Sequence, residues 1–382
     1  MDSIPYGKQN ITVEDIQSVV DTLRGAMITQ GEKVPEFENQ ICKIVEAPYA
    51  VAVNSATSAL HLACMAIGVG KNDWVWTSST SFVASANCGL YCKAKVDFID
   101  IENETGLIDP KKLSKKLKEA ESTNKLPKVI VVVHLAGTSC EMRTIDQLAK
   151  RYGIKIIEDA SHAIGGKYEN YPVGSCMYSD ITVFSFHPVK IITTGEGGAL
   201  TTNNKEIFEK AKILRSHGII RNRVKYYEYN INQLSFNYRL SDLNCALGIS
   251  QIQKLDTIIK KKNKLFKIYC EKFKNLDKFI FIPNKLIKFQ SHHLMLICIK
   301  NFNIKKKINL IKYLNKNRIF PQFHYIPLYK FRAVKSRVSG VYKSVGSNEY
   351  YSKFLSLPLF YDLNISTIDK VVKLLKNYLK KI

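Results

Sequence analysis

The chain has 382 residues, of which 46% are hydrophobic and 24% are charged, so it has ample apolar material for a folded core and is not of the disordered class. Lysine and arginine outnumber aspartate and glutamate by 57 to 33, which gives a formal net charge of +24. No apolar run reaches the roughly 18 residues of a transmembrane helix, and the polar N-terminus does not resemble a signal peptide, so we expect a cytoplasmic protein.

The excess positive charge is concentrated between Lys254 and Arg318, a segment with only three acids. A basic surface of this kind attracts the phosphate backbone of nucleic acids. The segment lacks arginine–aromatic interleaving and any recognisable binding module, which favours a solvated surface instead. We therefore expect neither nucleic acid nor a membrane as a partner, and a field that favours the entry of an anionic substrate.

Nine cysteines are scattered along the chain, and none of them forms a CxxC pair. Most stand within apolar segments, such as Cys298 at the end of the run 294–298. This distribution is typical of buried, reduced thiols and not of a zinc site or a disulfide framework. We expect no bound metal.

Helix and strand signals alternate through the first 250 residues and change in character after Leu255, where lysine-rich helices and short strands follow. The alternation predicts an α/β fold with a mainly parallel sheet flanked by helices. We expect a large domain over residues 1–254 and a smaller α+β domain over residues 255–382. Helices are predicted at 15–23, 34–45, 59–67, 145–152 and 368–379, and strands at 50–53, 74–77, 95–99, 128–134, 155–159 and 181–186.

The most distinctive segment runs from Phe184 to Gly198, where a predicted strand ends and a polar, glycine-rich loop carries Lys190. A lysine at a strand end in uncharged surroundings can have a lowered pKa, which suits attack on a carbonyl carbon. The competing interpretation is an ordinary surface lysine, because the chain is rich in lysine.

A second segment places Asp159 at the end of an apolar strand, with His162 three residues later. A buried acid is costly unless it meets a cation, so Asp159 is a candidate partner for a protonated ligand group. The alternative is that Asp159 caps a helix. His162 lies over a ligand ring in the first case and is a plain helix residue in the second. Lys190, Asp159 and His162 are the catalytic candidates.

Two further segments follow other predicted strands. Residues 54–58 put small polar side chains at a helix start, where free N–H groups and the helix dipole favour a phosphate. Phe82 supplies a ring that could stack on a planar ligand, although phenylalanine is more often a core residue. Because ligands bind at the carboxyl ends of parallel strands, these segments together predict one site.

In this order, and with 215–218, 236–242 and 324–329, the segments resemble the DegT/DnrJ/EryC1/StrS family of nucleotide-sugar aminotransferases, which have the type I fold of pyridoxal-phosphate enzymes. The resemblance extends from Ile4 to Pro358. Residues 4–7, 23–31, 79–92 and 173–176 are most similar to the transaminases of pseudaminic acid biosynthesis. The resemblance implies pyridoxal phosphate as cofactor, and amino transfer from glutamate to C4 of a UDP-linked 4-keto-6-deoxy-N-acetyl sugar.

Carried over residue by residue, the resemblance implies that Lys190 binds the cofactor covalently and moves the proton, while Asp159 pairs with the pyridine nitrogen. The remaining implied cofactor contacts are Ala56, Thr57, Phe82 and Ser185. The implied sugar-nucleotide pocket consists of Tyr6, Ala26, Met27, Ile28, Thr29, Phe323, His324, Tyr325 and Ile326.

The resemblance also implies a homodimer. Asn237 looks like the residue that reaches the cofactor phosphate of the neighbouring subunit, so each site would draw on both chains. We expect the nearby Leu240, Leu243 and Leu247 to form the apolar part of the interface.

Three other functions stay open. A sugar dehydratase of the same fold has a histidine where this chain has Lys190, which argues against it. A binding protein could keep the fold without catalysis, because a fold does not guarantee activity. The lysine-rich segment leaves a nucleic-acid-binding role as the third.

Overall fold

The computed structural model describes residues 3–221, 227–283, 290–335, 338 and 344–381. The strands are β1 (Ile4–Pro5), β2 (Tyr49–Val53), β3 (Trp74–Ser78), β4 (Lys95–Ile99), β5 (Val129–Val133), β6 (Lys155–Asp159), β7 (Lys167–Tyr168), β8 (Tyr171–Pro172), β9 (Ile181–Ser185), β10 (Gly198–Thr202), β11 (Ile219–Arg221), β12 (Tyr229–Ile231), β13 (Ile280–Phe281), β14 (Met295–Ile299), β15 (Ile319–Phe320) and β16 (Phe354–Leu357). The α-helices are α1 (Val13–Arg24), α2 (Lys33–Val45), α3 (Ala56–Ile67), α4 (Ala84–Tyr91), α5 (Pro110–Glu121), α6 (Met142–Arg151), α7 (Lys205–Arg215), α8 (Asp242–Gln253), α9 (Leu255–Phe273), α10 (Ile304–Lys316), α11 (Arg332–Lys335), α12 (Val345–Lys353) and α13 (Ile365–Leu379).

Seven strands form the central sheet in the order β2-β10-β9-β6-β5-β3-β4. The run β9-β6-β5-β3-β4 is parallel throughout, whereas β10 is antiparallel to both of its neighbours. Every residue of β5 and β10 is buried, as expected for a sheet that helices cover on both faces. The predicted mainly parallel α/β sheet is confirmed.

The strand predictions are more accurate than the helix predictions. The predicted bounds of β4 and β6 are correct to the residue, although each strand contains charged residues beside its apolar ones. Helix α3 begins at Ala56, three residues before the predicted start. Ser55 caps it there, since its Oγ accepts a hydrogen bond from the N–H of Ser58 at 3.1 Å. Periodicity of apolar residues does not reveal such a polar first turn.

A second, three-stranded sheet of β13, β14 and β16 packs with α9, α10 and α13 around its own apolar core. Helix α8 ends at Gln253 and α9 begins at Leu255, close to the predicted boundary. The N-terminal strand β1 pairs in parallel with β15. The division at residues 254 and 255 stays a prediction. Within the described residues, no helix combines the length and the apolar character needed to cross a membrane.

Gly174 packs closely against β9, the strand that leads to Lys190. It has a φ of +103°, and a Cβ atom there would lie 2.6 Å from the ring of Phe184 in β9. We expect Gly174→Ala to lower the free energy of unfolding by about 1–3 kcal/mol through overpacking, and further through the positive φ. Denaturant unfolding measures this loss.

Gly153→Ala is the matched control for this variant. Gly153 also has a positive φ, of +66°, but its added Cβ would meet no atom within 4 Å. It therefore carries the backbone cost without the overlap, and should lose less stability than Gly174→Ala. Equal losses in the two variants would contradict the packing argument.

Candidate active site

A cavity of about 580 Å³ opens at the edge of the central sheet where β2, β3, β6 and β9 end. The carboxyl ends of parallel strands meet at one edge of a sheet, so segments that are distant in sequence converge there. The cavity brings together the following predicted site residues: Tyr6, Ala56, Thr57, Phe82, Asp159, His162, Ser185, Lys190, Phe323, His324, Tyr325 and Ile326.

Other predicted residues lie elsewhere on the surface of the chain. Ala26, Met27, Ile28, Thr29 and Asn237 are all exposed and are not among the residues that line the cavity. The cavity also contains polar residues that the sequence analysis did not single out: Ser81, Ser161, His187, Glu196 and Gln322. Each stands within a few residues of a predicted site residue, and this proximity was the only signal for them.

The start of α3 forms one end of the cavity. Ser55 uses its Oγ to accept from Ser58, and its carbonyl accepts from the N–H of Ala59 at 3.0 Å. The N–H groups of Ala56 and Thr57 come before these hydrogen-bonded positions. They belong to the first turn of the helix, whose N–H groups have no partner within the helix. Free N–H groups at the positive end of a helix dipole bind phosphate well.

A tight turn presents Lys190 to the cavity. The N–H of Lys190 donates to the carbonyl of His187 at 2.8 Å, and Pro188 occupies the turn between them with its restricted φ. A backbone hydrogen bond also holds the loop, because the N–H of Thr194 donates to the carbonyl of Phe186 at 3.0 Å. Burial lowers the pKa of the Lys190 amine to about 8, although the charge of Asp159 opposes the shift.

The carboxylate of Asp159 is buried and held by hydrogen bonds from both sides. Its Oδ1 accepts from the N–H of Ser161 at 3.2 Å and from the Ser161 hydroxyl at 2.5 Å. Its Oδ2 accepts from the hydroxyl of Ser85 at 2.6 Å. Residues 161–165 form turns, and no helix begins after Asp159, so the helix-cap alternative is wrong. Asp159 instead holds a short turn and faces the cavity.

His162 lines the cavity as a neutral imidazole. The backbone N–H of Ala136 donates to Nδ1 at 3.2 Å, which places the ring proton on Nε2. Nε2 lies 3.1 Å from the hydroxyl of Tyr325 and donates to it. Burial, and after it the charges of Lys190 and His324, lower the pKa of His162 well below its usual value. His162 is thus a residue of the cavity wall and not of a helix.

Tyr6, near the N-terminus, and the segment 323–326 form another wall of the cavity. Pairing of β1 with β15 brings Tyr6 beside His324, with their ring centroids 5.1 Å apart. His324 is held by the hydroxyl of Ser356 at 2.7 Å from its Nδ1, and burial lowers its pKa to about 3. Phe82 is 56% exposed, so its ring is open to a ligand and does not belong to the core.

These groups fit pyridoxal phosphate. The cavity offers phosphate donors at the start of α3, an exposed aromatic ring at Phe82, and an anionic carboxylate at Asp159. It also offers an amine of lowered pKa at Lys190, which suits covalent attachment of an aldehyde. The residues therefore match the phosphate, the ring, the ring nitrogen and the aldehyde of that cofactor.

Comparison with known proteins agrees with this assignment. The profile of the DegT/DnrJ/EryC1/StrS aminotransferase family matches residues 9–376. A Campylobacter jejuni protein named UDP-4-amino-4,6-dideoxy-N-acetyl-beta-L-altrosamine transaminase is 41% identical over 379 residues, which cover 99% of this chain and 98% of that protein.

Two solved structures are similar over nearly all of their length. Helicobacter pylori PseC, an aminotransferase involved in the biosynthesis of pseudoaminic acid, has a TM-score of 0.93 at 30% identity and is covered fully, as is this chain. Spr1654 from Streptococcus pneumoniae in its PLP-form has a TM-score of 0.91 at 27% identity, with 99% of each chain covered. The expected type I fold of pyridoxal-phosphate enzymes is confirmed.

The lowered pKa of Lys190 predicts how cofactor attachment depends on pH. Only the unprotonated amine attacks an aldehyde, so the rate of attachment to cofactor-free protein should rise with pH and level off above about 8. A lysine with the ordinary pKa of 10.5 would level off more than two units later. Borohydride trapping at a series of pH values, followed by peptide mass spectrometry, measures the labelled fraction of Lys190.

Asp159→Asn tests the electrostatic part of this prediction. The charge of Asp159 raises the pKa of Lys190, so its removal should move the levelling point to lower pH. Lys190→Arg sets the background of the assay, since it has no amine that can be trapped. A levelling point near 10, or one that Asp159→Asn moves upward, would contradict the prediction.

Proposed function

Because the chain belongs to the DegT/DnrJ/EryC1/StrS aminotransferase family, we propose that it transfers an amino group from glutamate to C4 of a UDP-linked 4-keto-6-deoxy-N-acetyl sugar. The observation that carries the proposal is the 41% identity to the Campylobacter jejuni transaminase over 99% of the chain. The reaction belongs to pseudaminic acid biosynthesis and supplies an amino sugar for a cell-surface glycan. It takes place in the cytoplasm, a compartment that suits nine free thiols.

When bound, pyridoxal phosphate supplies the electron sink that lets an amino group leave one carbon and join another. The N–H groups of Ala56 and Thr57 and the hydroxyl of Ser185 hold its phosphate. The carboxylate of Asp159 keeps the ring nitrogen protonated, and Phe82 covers one face of the ring. The protein thus positions the cofactor and supplies the charges around it.

Lys190 moves the proton. With a pKa of about 8, a useful fraction of its amine is unprotonated near neutral pH. Nζ accepts the proton from the α-carbon of glutamate in the first half-reaction and delivers a proton to C4 of the sugar in the second. Over both halves the amino group and the keto oxygen change places, so glutamate becomes 2-oxoglutarate and the keto sugar becomes the 4-amino sugar.

The wall opposite the sheet selects the acceptor. Tyr6 and the segment 323–326 present aromatic and imidazole side chains to the cavity, which suit the faces and hydroxyl groups of a sugar. The net charge of +24 favours the approach of the anionic diphosphate of the nucleotide.

The active form in this proposal is a homodimer with composite sites. Residues 26–29 and Asn237 belong to one surface, because Thr29 bridges to Ser241 and the carbonyl of Ile28 accepts from the N–H of Asp242 at 3.0 Å. Apolar side chains on or beside this surface are exposed: Met27 at 54%, Ile28 at 49%, Leu234 at 90% and Phe236 at 40%. A second copy that covers them would bring Asn237 to its cofactor phosphate.

The expected apolar part of this interface needs one correction. Leu240 is only 3% exposed and packs in the core of its own chain, so it is not available to a partner. Leu243 and Leu247 are partly exposed and remain candidates. Leu240 instead belongs to the apolar cluster that α2 and α8 form with the central sheet.

A substrate panel tests the reaction itself. The enzyme is incubated with ¹⁵N-glutamate and a series of UDP- and dTDP-linked 4-keto sugars, and the products are identified by mass spectrometry. We expect the label in the UDP-linked 4-amino-6-deoxy-N-acetyl sugar, and no turnover with Lys190→Ala. Lys264→Ala, at an exposed position on α9, should keep full activity. Amination of only another sugar would reassign the acceptor, and no amination of any sugar would overturn the function.

A complementation experiment tests the composite site. Asn237→Asp places a negative charge where the cofactor phosphate is expected and should inactivate the dimer. When this variant exchanges subunits with Lys190→Ala, both lesions fall in one site of the mixed dimer and leave the other intact. A statistical mixture should regain about a quarter of the wild-type activity. No recovery, despite proven exchange, would place Asn237 outside the partner's site.

A further inference from the structure

Two buried serines form a chain of hydroxyl groups that ends on the carboxylate of Asp159. Ser85 Oγ lies 2.6 Å from Oδ2 of Asp159, and Ser81 Oγ lies 2.7 Å from Ser85 Oγ. Neither serine is more than 1% exposed. Both hydroxyls are therefore shielded from solvent, and that of Ser85 is directed at the carboxylate of Asp159.

The direction of this chain follows from the chemistry of its last member. An ionised carboxylate can only accept hydrogen bonds, so the hydroxyl of Ser85 donates to Asp159. The oxygen of Ser85 is then the acceptor for the hydroxyl of Ser81. The two bonds run in one sense, and each hydroxyl strengthens the next as a donor.

The lone-pair positions of the Asp159 carboxylate determine where a ligand can bind to it. A carboxylate has about four lone-pair positions, two on each oxygen. Ser161 fills both positions of Oδ1, through its N–H and its hydroxyl, and Ser85 fills one position of Oδ2. One position therefore remains, and it is on the oxygen that Ser85 holds.

The donors around Asp159 orient its charge without neutralising it. Among the described residues, no cation forms an ion pair with Asp159, so no positively charged side chain competes with a ligand for the carboxylate. Ser250 and Asp15 give the contrast, because they also make a hydroxyl–carboxylate bond of 2.6 Å. There, however, Nζ of Lys254 lies 2.6 Å from the same carboxylate and neutralises it.

We propose, on the basis of the function proposed above, that Ser85 is a positioning residue for the ring nitrogen of pyridoxal phosphate. It acts through Asp159, whose Oδ2 it holds with the free lone pair toward the cavity. Ser81 supports Ser85 by donating a hydrogen bond to the oxygen of its hydroxyl. Phe82 lies between the two serines in sequence, so one turn of chain supplies both the stacking ring and the support of the carboxylate.

The test compares Ser85→Ala, Ser81→Ala and Ser250→Ala in the full-length protein. Equilibrium dialysis gives the Kd of pyridoxal phosphate, and circular dichroism in the visible region reports the orientation of the bound ring. We expect Ser85→Ala to raise the Kd by roughly tenfold, the lower end of what supporting residues of a binding site contribute. It should also reduce the visible dichroism per bound cofactor. Ser81→Ala should act in the same direction with a smaller effect.

Ser250→Ala is the matched control, since it removes the same group at the same distance from a buried carboxylate outside the cavity. It should lower the Tm of the cofactor-free protein about as much as Ser85→Ala, with the Kd and the dichroism unchanged. Equal changes of Kd in Ser85→Ala and Ser250→Ala would reduce Ser85 to a structural residue. If Ser85→Ala does not fold, Ser81→Ala becomes the test. The proposal then expects a smaller rise in Kd for Ser81→Ala, and an unchanged Kd overturns the proposal.

The outcomes separate this proposal from the proposed function. No arm uses a sugar, so a wrong acceptor leaves the cofactor measurements readable. Wild-type protein that binds pyridoxal phosphate, beside Ser85→Ala and Ser81→Ala with unchanged Kd and dichroism, would overturn the role of Ser85 alone. Wild-type protein that binds no pyridoxal phosphate would overturn both.

Discussion

The carboxylate of Asp159 lies at the end of β6, 5% exposed, with hydrogen-bond donors on both oxygens and no ion-pair partner among the described residues. Burial of such a charge is costly, and a structure that served stability alone would supply a cation. The chain does so at Asp15, where Lys254 completes the pair. The missing cation at Asp159 is therefore a cost to stability that a protonated ligand group would offset, as the proposed role of this carboxylate requires.

The buried amine of Lys190 also costs stability. Burial favours its neutral amine, whereas the nearby charge of Asp159 favours the ammonium, and the result is a pKa of about 8. The two groups are too far apart to form an ion pair, so a cofactor between them can use both. Conflicts of this kind, which lower stability, are expected at functional sites. Glu158, the neighbour of Asp159 in β6, shows the opposite case: its partner His134 lies 2.6 Å away, and it does not line the cavity.

The sequence was sufficient for the parts of the structure that depend on apolar patterns and on short motifs. The strand β5 followed from its run of five apolar residues, and the segment around Lys190 pointed to the cavity. The role of Ser85 in holding Asp159 could not be predicted, because a hydrogen bond between residues 74 positions apart depends on tertiary packing. The inward position of Leu240 was missed for the same reason. The roles of residues 26–29 and Asn237 stay predictions, because the proposed site at which they act is shared with a second subunit.

The two walls of the cavity come from different parts of the fold, and this separation has a functional consequence. Asp159 and Lys190 are fixed at or just beyond the ends of buried strands, whereas Tyr6 and the segment 323–326 are brought together by the short pairing of β1 with β15. Groups on rigid strands keep the geometry that the shared chemistry requires. Groups on connecting segments can change with less effect on that geometry, because connecting segments tolerate substitution better than the strands that they join. In the proposed function, the choice of acceptor sugar can therefore change at one wall while the amino-transfer chemistry stays constant at the other.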